Sequence, residues 1–99
     1  MRMMMKVSIP AEGGNKAIKD GTLPKTMAGF MEQHKPEAAY FTSTGGDRTA
    51  YFVFDLKDAA SIPSVAEPFF NGLNAKIEIS PVMNAEDLKV GLDRVAKSH

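Results

Sequence analysis

An α+β sandwich, a four-stranded antiparallel sheet with helices against one face, is the fold class this sequence predicts. Three observations predict it. Met3 to Ile9 (MMMKVSI) and Ala50 to Leu56 (AYFVFDL) carry apolar bulk at adjacent positions, as strands covered on both faces do. Gly45-Gly46 joins two strand-like runs and marks a β-hairpin. Helical periodicity follows the first strand, separates the third from the fourth, and closes the chain, giving the order β α β β α β α. A half-solvated strand would alternate apolar and polar residues. If both apolar strands lie in one sheet of a 99-residue chain, few elements remain for its second face, which points to a partner subunit or a ligand there.

Each element has its own signal. In the first strand Met3, Met5, Val7 and Ile9 share one face and Met4, Lys6 and Ser8 the other, and Pro10 closes the run. The next segment is helical but broken: Asn15 to Asp20 forms one or two turns ending at Gly21, and a second piece, with Pro24 in its first turn, runs to about His34. Its apolar positions Met27, Phe30 and Met31 fall at helical spacing with His34, and Lys35-Pro36 ends it. Ala38 to Thr44 and Arg48 to Leu56 flank the glycine pair. A two- or four-residue loop there sets Tyr40 opposite Tyr51, Phe41 opposite Ala50 and Thr42 opposite Thr49, whereas a three-residue loop would mix the faces.

Ile62, Val65, Ala66, Phe69, Phe70 and Leu73 form the stripe of a helix laid on a core. Ser61 is the expected N-cap, Gly72 the expected end, and Pro68 is expected to kink or divide the helix. Ala75 to Val82 is the fourth strand, with Ile77 and Ile79 inward. Asn84 caps a last helix with Glu86 and Asp87 in its first turn, Leu88, Leu92 and Val95 on one face, and Arg94 and Lys97 near its end. Two interlocked split βαβ units with an added C-terminal helix make a ferredoxin-like βαββαβ sandwich, whose central strands are the first and third.

With 43% hydrophobic residues, the chain suits a single ferredoxin-like domain over residues 1–99. Twelve basic and 12 acidic residues leave no net charge to draw nucleic acid or anionic lipid. The absence of cysteine excludes disulfides, thiolate nucleophiles and cysteine-bound metals, and fits a reducing compartment. MRMMMKVSIP lacks the long apolar stretch of a signal peptide, and no run approaches the roughly 20 residues of a membrane span. The expectation is a soluble cytoplasmic protein that binds neither membrane nor nucleic acid.

MRMMMKVSIP, GGNKAIKDGTLPKT, PEAAYFTSTGGDRTAYFVFDL and IPSVAEPFFNGLNAKIEISPVMNAEDL together resemble small bacterial proteins of the dimeric α/β-barrel superfamily, over nearly the whole chain. The resemblance implies a homodimer whose sheets pack face to face around a pocket, paired as a dimeric α/β barrel. Members include monooxygenases, haem-degrading enzymes, muconolactone isomerase-like proteins and many of no assigned role. It supplies no catalytic set: the chain has no Trp, so the Asn, Trp and His trio of the haem-degrading members does not transfer.

With Met3, Met5, Val7, Ile9, Phe41, Phe52, Phe54, Ile77 and Ile79 turned to the helices, the open face carries Lys6, Tyr40, Tyr51 and Glu78, with Met4, Ser8, Thr42, Thr49, Val53, Lys76 and Ser80 around them. This is too polar for a dry core and too aromatic for a plain solvated surface. It suits a partly wet dimer interior. Lys6, Tyr40, Tyr51 and Glu78 are the expected ligand-binding residues, set against a plain interface in which Lys6 and Glu78 form a cross-strand ion pair.

His34 and Tyr40 are the catalytic candidates. His34 has the titration range for acid–base work, but no residue is placed to orient it, and a helix-end histidine bonded to the last carbonyls is the simpler reading. His99 is expected to be frayed. Gly13-Gly14-Asn15-Lys16 matches no phosphate-binding fingerprint and reads as a flexible turn. Arg48 to Asp55 (RTAYFVFD) resembles the third strand of RNA-recognition motifs but has Thr49 and Ala50 where that motif needs glycine and an exposed aromatic. The seven methionines read as core filling rather than a metal surface. No cofactor and no metal is expected. The leading function is a homodimeric small-molecule-binding protein, with a cofactor-independent monooxygenase or isomerase as the alternative.

Overall fold

The computed structural model describes residues 1–98. Along them run β1 (Arg2–Ile9), α1 (Ala11–Lys19), α2 (Thr22–His34), β2 (Ala38–Thr44), β3 (Asp47–Asp55), a 3₁₀ turn (Ala59–Ser61), α3 (Ile62–Leu73), β4 (Lys76–Pro81) and α4 (Ala85–Ser98). The strands form one antiparallel sheet in the order β2-β3-β1-β4. The two most apolar strands are therefore central, and the fold is the ferredoxin-like sandwich with a C-terminal helix. His99 lies outside the described residues.

The alternation of β1 decides which face is the core. Met3, Met5, Val7 and Ile9 are buried under the helices while Met4, Lys6 and Ser8 are half-buried. Opposite them on β3, Phe54, Phe52 and Ala50 are buried too. Phe30 of α2 stacks within 4.6 Å of Phe52 and 5.4 Å of Phe54, and lies 5.6 Å from Phe69 of α3 (ring centroids). Each fully buried Phe contributes on the order of 1.5–3 kcal/mol. The hairpin closes through Gly45 (φ 62°) and Gly46 (φ 84°), both left-handed as a tight turn on a twisted pair requires. Its register pairs Tyr40 with Tyr51, Phe41 with Ala50 and Thr42 with Thr49, as the sequence predicts.

Several expectations need correction. Gly13 and Gly14 are no flexible turn. Helix α1 begins at Ala11, and the Gly14 N–H donates to the Pro10 carbonyl at 2.8 Å. The glycines are there for close packing: a Cβ on Gly14 would lie 2.5 Å from the Arg48 guanidinium, and one on Gly13 3.1 Å from the Leu73 carbonyl oxygen. The break between α1 and α2 does fall at Gly21 (φ 80°), where the Asp20 carboxylate accepts the Thr22 N–H at 2.9 Å. The Thr22 hydroxyl first, and then this N–H, hold the Asp20 carboxyl below its ordinary pKa.

Gly72 does not end α3. Its lack of a side chain lets α3 approach Thr22 and Thr26 of α2, and Asn74 (φ 52°) takes the left-handed position after Leu73. Ser61 does stand at the N-cap position of α3, but its backbone is helical and its side chain does not cap: the hydroxyl donates to Asp58 at 3.0 Å. Pro68 leaves α3 undivided, because the carbonyl deprived of an N–H belongs to Ser64 and both residues line a solvent-open groove. Phe41, expected under the helices, is exposed on edge strand β2, where the helix layer stops at Leu23 and Met27.

Candidate functional site

The helix-free face of the sheet is built from rungs, since same-face residues recur every second position along each strand. One rung crosses all four strands: Tyr40 pairs with Tyr51, Tyr51 with Lys6, and Lys6 with Glu78. The four ligand-binding candidates are therefore side by side, spanning about 14 Å at the usual strand spacing. Ala38, Val53, Met4 and Ser80 form the rung on one side of them, and Thr42, Thr49, Ser8 and Lys76 the rung on the other. The face thus grades from apolar, through tyrosine and an ion pair, to hydroxyls and an ammonium.

The central rung is chemically available. Tyr40 is 70% exposed, while Tyr51 is half-buried between its neighbours. The Lys6 ammonium lies 3.8 Å from the Glu78 carboxylate. An exposed pair at that distance contributes less than about 1 kcal/mol, so a ligand can separate it at small cost. Thr49 contributes nothing to the rim: it is buried, and its hydroxyl donates to the Asp47 carbonyl at 3.0 Å.

Arg2, at the β1 end of the same face, is already committed. Its Nε donates to Glu37 at 2.5 Å and a terminal nitrogen to Asp87 of α4 at 3.1 Å. The Glu37 hydrogen bond raises its pKa further.

His34 is not part of this site. It ends α2, on the helix side of the sheet, with its ring 4.9 Å from Phe30 and 5.9 Å from Phe54 (centroids). Burial against these rings lowers its pKa. The two catalytic candidates, His34 and Tyr40, therefore lie on opposite faces of the sheet. His34 instead edges a groove of about 440 Å³ between α2 and α3, with Phe30 and Phe69 in its wall. Sequence reasoning missed that packing, although the Phe30-to-His34 spacing of one helical turn carried the signal.

Arg48 was missed as well. It reaches from β3 to α1, donating to the Asn15 side chain at 3.0 Å and to the Ala11 carbonyl at 3.4 Å, which occupies the glycine segment with a packing role. Among the described residues, no three His, Asp or Glu side chains come together as a metal site would need, and no helix is long and apolar enough to cross a membrane.

Strand order and register define the class: a ferredoxin-like protomer of the kind the resemblance to dimeric α/β-barrel proteins implies. No protein-family model matches the chain, and no curated protein is similar to it in sequence. Among solved structures it is similar to a candidate antibiotic biosynthesis monooxygenase from Deinococcus radiodurans, with 12% identity and a TM-score of 0.44 over 86% of this chain and 95% of that one. A likeness that distant carries no argument about the site.

Proposed function

We propose that the protein is a homodimeric small-molecule-binding protein whose pocket lies over the open sheet face. One observation carries the reading: Tyr40, Tyr51, Lys6 and Glu78 occupy a single rung, with an apolar rung on one side and a hydroxyl rung on the other. Such a gradient orients an amphipathic ligand. Its ring lies against Tyr51, Met4 and Val53, and its polar groups meet Lys6 and Glu78, which offer a donor and an acceptor side by side. Binding rather than catalysis is the favoured reading, because the one histidine among the described residues lies across the sheet from this face.

A small hydroxylated arene, 1,4-dihydroxynaphthalene, is a suitable probe. It should raise the melting temperature of the wild type. Replacing Tyr51→Ala should weaken its binding about tenfold or more, the scale of losing one aromatic contact of roughly 1.5 kcal/mol. Equal binding by both proteins, or none by the wild type, overturns this assignment. Oxygen uptake with the same compound that His34→Ala leaves intact would instead favour an oxygenase working without that histidine.

A further inference from the structure

Helix α4 is amphipathic and touches almost nothing of its own chain. Leu88, Gly91, Leu92 and Val95 recur at helical spacing, and none of its residues is buried. Leu88, Leu92 and Val95 are 45%, 58% and 55% exposed. Yet its start is firmly built. The Asn84 side chain accepts the Asp87 N–H at 2.8 Å, the Asp87 carboxylate accepts the Asn84 N–H at 3.1 Å, and Arg2 ties Asp87 to β1. The helix is held at its first turn and projects from there, so that the molecule measures 56 × 27 × 19 Å.

A second apolar surface on the same chain also lacks a cover. Between α3 and edge strand β4 runs a groove of about 520 Å³ lined by Ile62, Ala66, Phe70, Ile77 and Ile79, with Glu67 among its lining residues. Ile62 and Phe70 are exposed, and the two β4 isoleucines are half-buried. From Ile62 to Phe70 the groove follows about 12 Å of helix, and Leu88 to Val95 of α4 spans about 10.5 Å. Stripe and groove match in length and polarity, and Lys89, bordering the stripe, suits Glu67.

We infer that α4 of one copy lies in the α3–β4 groove of a second copy, so that the dimer is locked by exchanged C-terminal arms. The inference rests on the two-copy reading above and adds to it a contact away from the ligand face. The surface area argues for a second copy. The chain exposes 6738 Å², against about 5,500 Å² for a folded monomer of this mass. The excess, roughly 1,200 Å² per chain, exceeds the roughly 800 Å² that each partner contributes to a standard interface. A two-fold pair uses stripe and groove twice, once in each direction. With no net charge, the chain carries no field that would select a strongly charged foreign partner.

The chain has no cysteine, so an introduced pair reports without background. Single variants Phe70→Cys and Leu92→Cys are mixed at micromolar concentration and oxidised, with Phe70→Cys plus Lys57→Cys as the undocked control. Docking sets an effective concentration in the millimolar range, so the test pair should cross-link on the order of a hundredfold faster than the control. The double variant Phe70→Cys/Leu92→Cys should give covalent dimers. Leu88→Asp/Leu92→Asp, which touches no core residue, should raise the dimer dissociation constant about a hundredfold or more. A link confined within one chain, or a rate equal to the control, overturns the arm exchange. If light scattering still shows a dimer in that case, the pairing of sheet faces stands without it, whereas a wild-type monomer removes both.

Discussion

His34 shows how a single side chain couples packing to pH. Its ring fills the space beside Phe30 and Phe54, and burial there disfavours the imidazolium and lowers its pKa from 6.5. The unfolded chain therefore binds a proton more readily than the folded one in the window just below 6.5. Stability from this residue is fully present above that value and is lost as pH falls through the folded pKa. Replacing His34→Phe keeps a ring against Phe30 and Phe54 and removes the titration. The wild type should lose melting temperature as the pH falls below about 6.5, and the variant should lose less of it over the same range. Parallel curves for the two would show that His34 titrates as it does in the unfolded chain. The residue's place on the helix side was legible from its spacing with Phe30, but its isolation from Tyr40 was not, because sequence alone does not fix how far α2 reaches across the sheet.

At the scale of elements, helix ends explain what the sequence could and could not show. The stop at Lys35-Pro36 was readable because proline restricts its predecessor, and Lys35 does leave the helix, with φ 44° and its N–H on the Met31 carbonyl at 3.0 Å. The end of α3 was misplaced at Gly72 because a glycine signals either a left-handed cap or a close helix contact. Only the packing against Thr22 and Thr26 distinguishes them. Gly13 and Gly14 misled for the same reason. Lys35 and Asn74 are the two residues other than glycine with positive φ among those described. Of the two, Lys35 carries the larger intrinsic penalty, since asparagine tolerates this region. Lys35→Gly should therefore stabilise the protein by about 0.5–1 kcal/mol in urea unfolding, and Asn74→Gly by less. A loss of stability in Lys35→Gly would mean that its side chain has contacts outweighing the strain relieved.

For the whole molecule, the strand order, the register and the composition of the open face were all readable, because period-two alternation and a two-glycine turn are local signals. The detachment of α4 was not. Its stripe looks like that of any helix laid on a core, and whether the core belongs to its own chain is a question of reach rather than of pattern. The outcome is a protomer with a radius of gyration of 15.9 Å, where a compact chain of this length has about 13 Å. On the proposal that a second copy covers the open face and the α4 stripe, unfolding is coupled to dissociation. Mass action makes such a transition concentration-dependent. A tenfold rise in protein concentration adds about 1.4 kcal/mol per dimer, which for a unit of roughly 200 residues moves the melting temperature up by about 3–6 °C. Calorimetry over two decades of concentration reads this directly. A melting temperature that stays fixed over that range would mean that each chain holds its fold alone, and that the exposed Leu88, Leu92 and Val95 are tolerated in water without a partner.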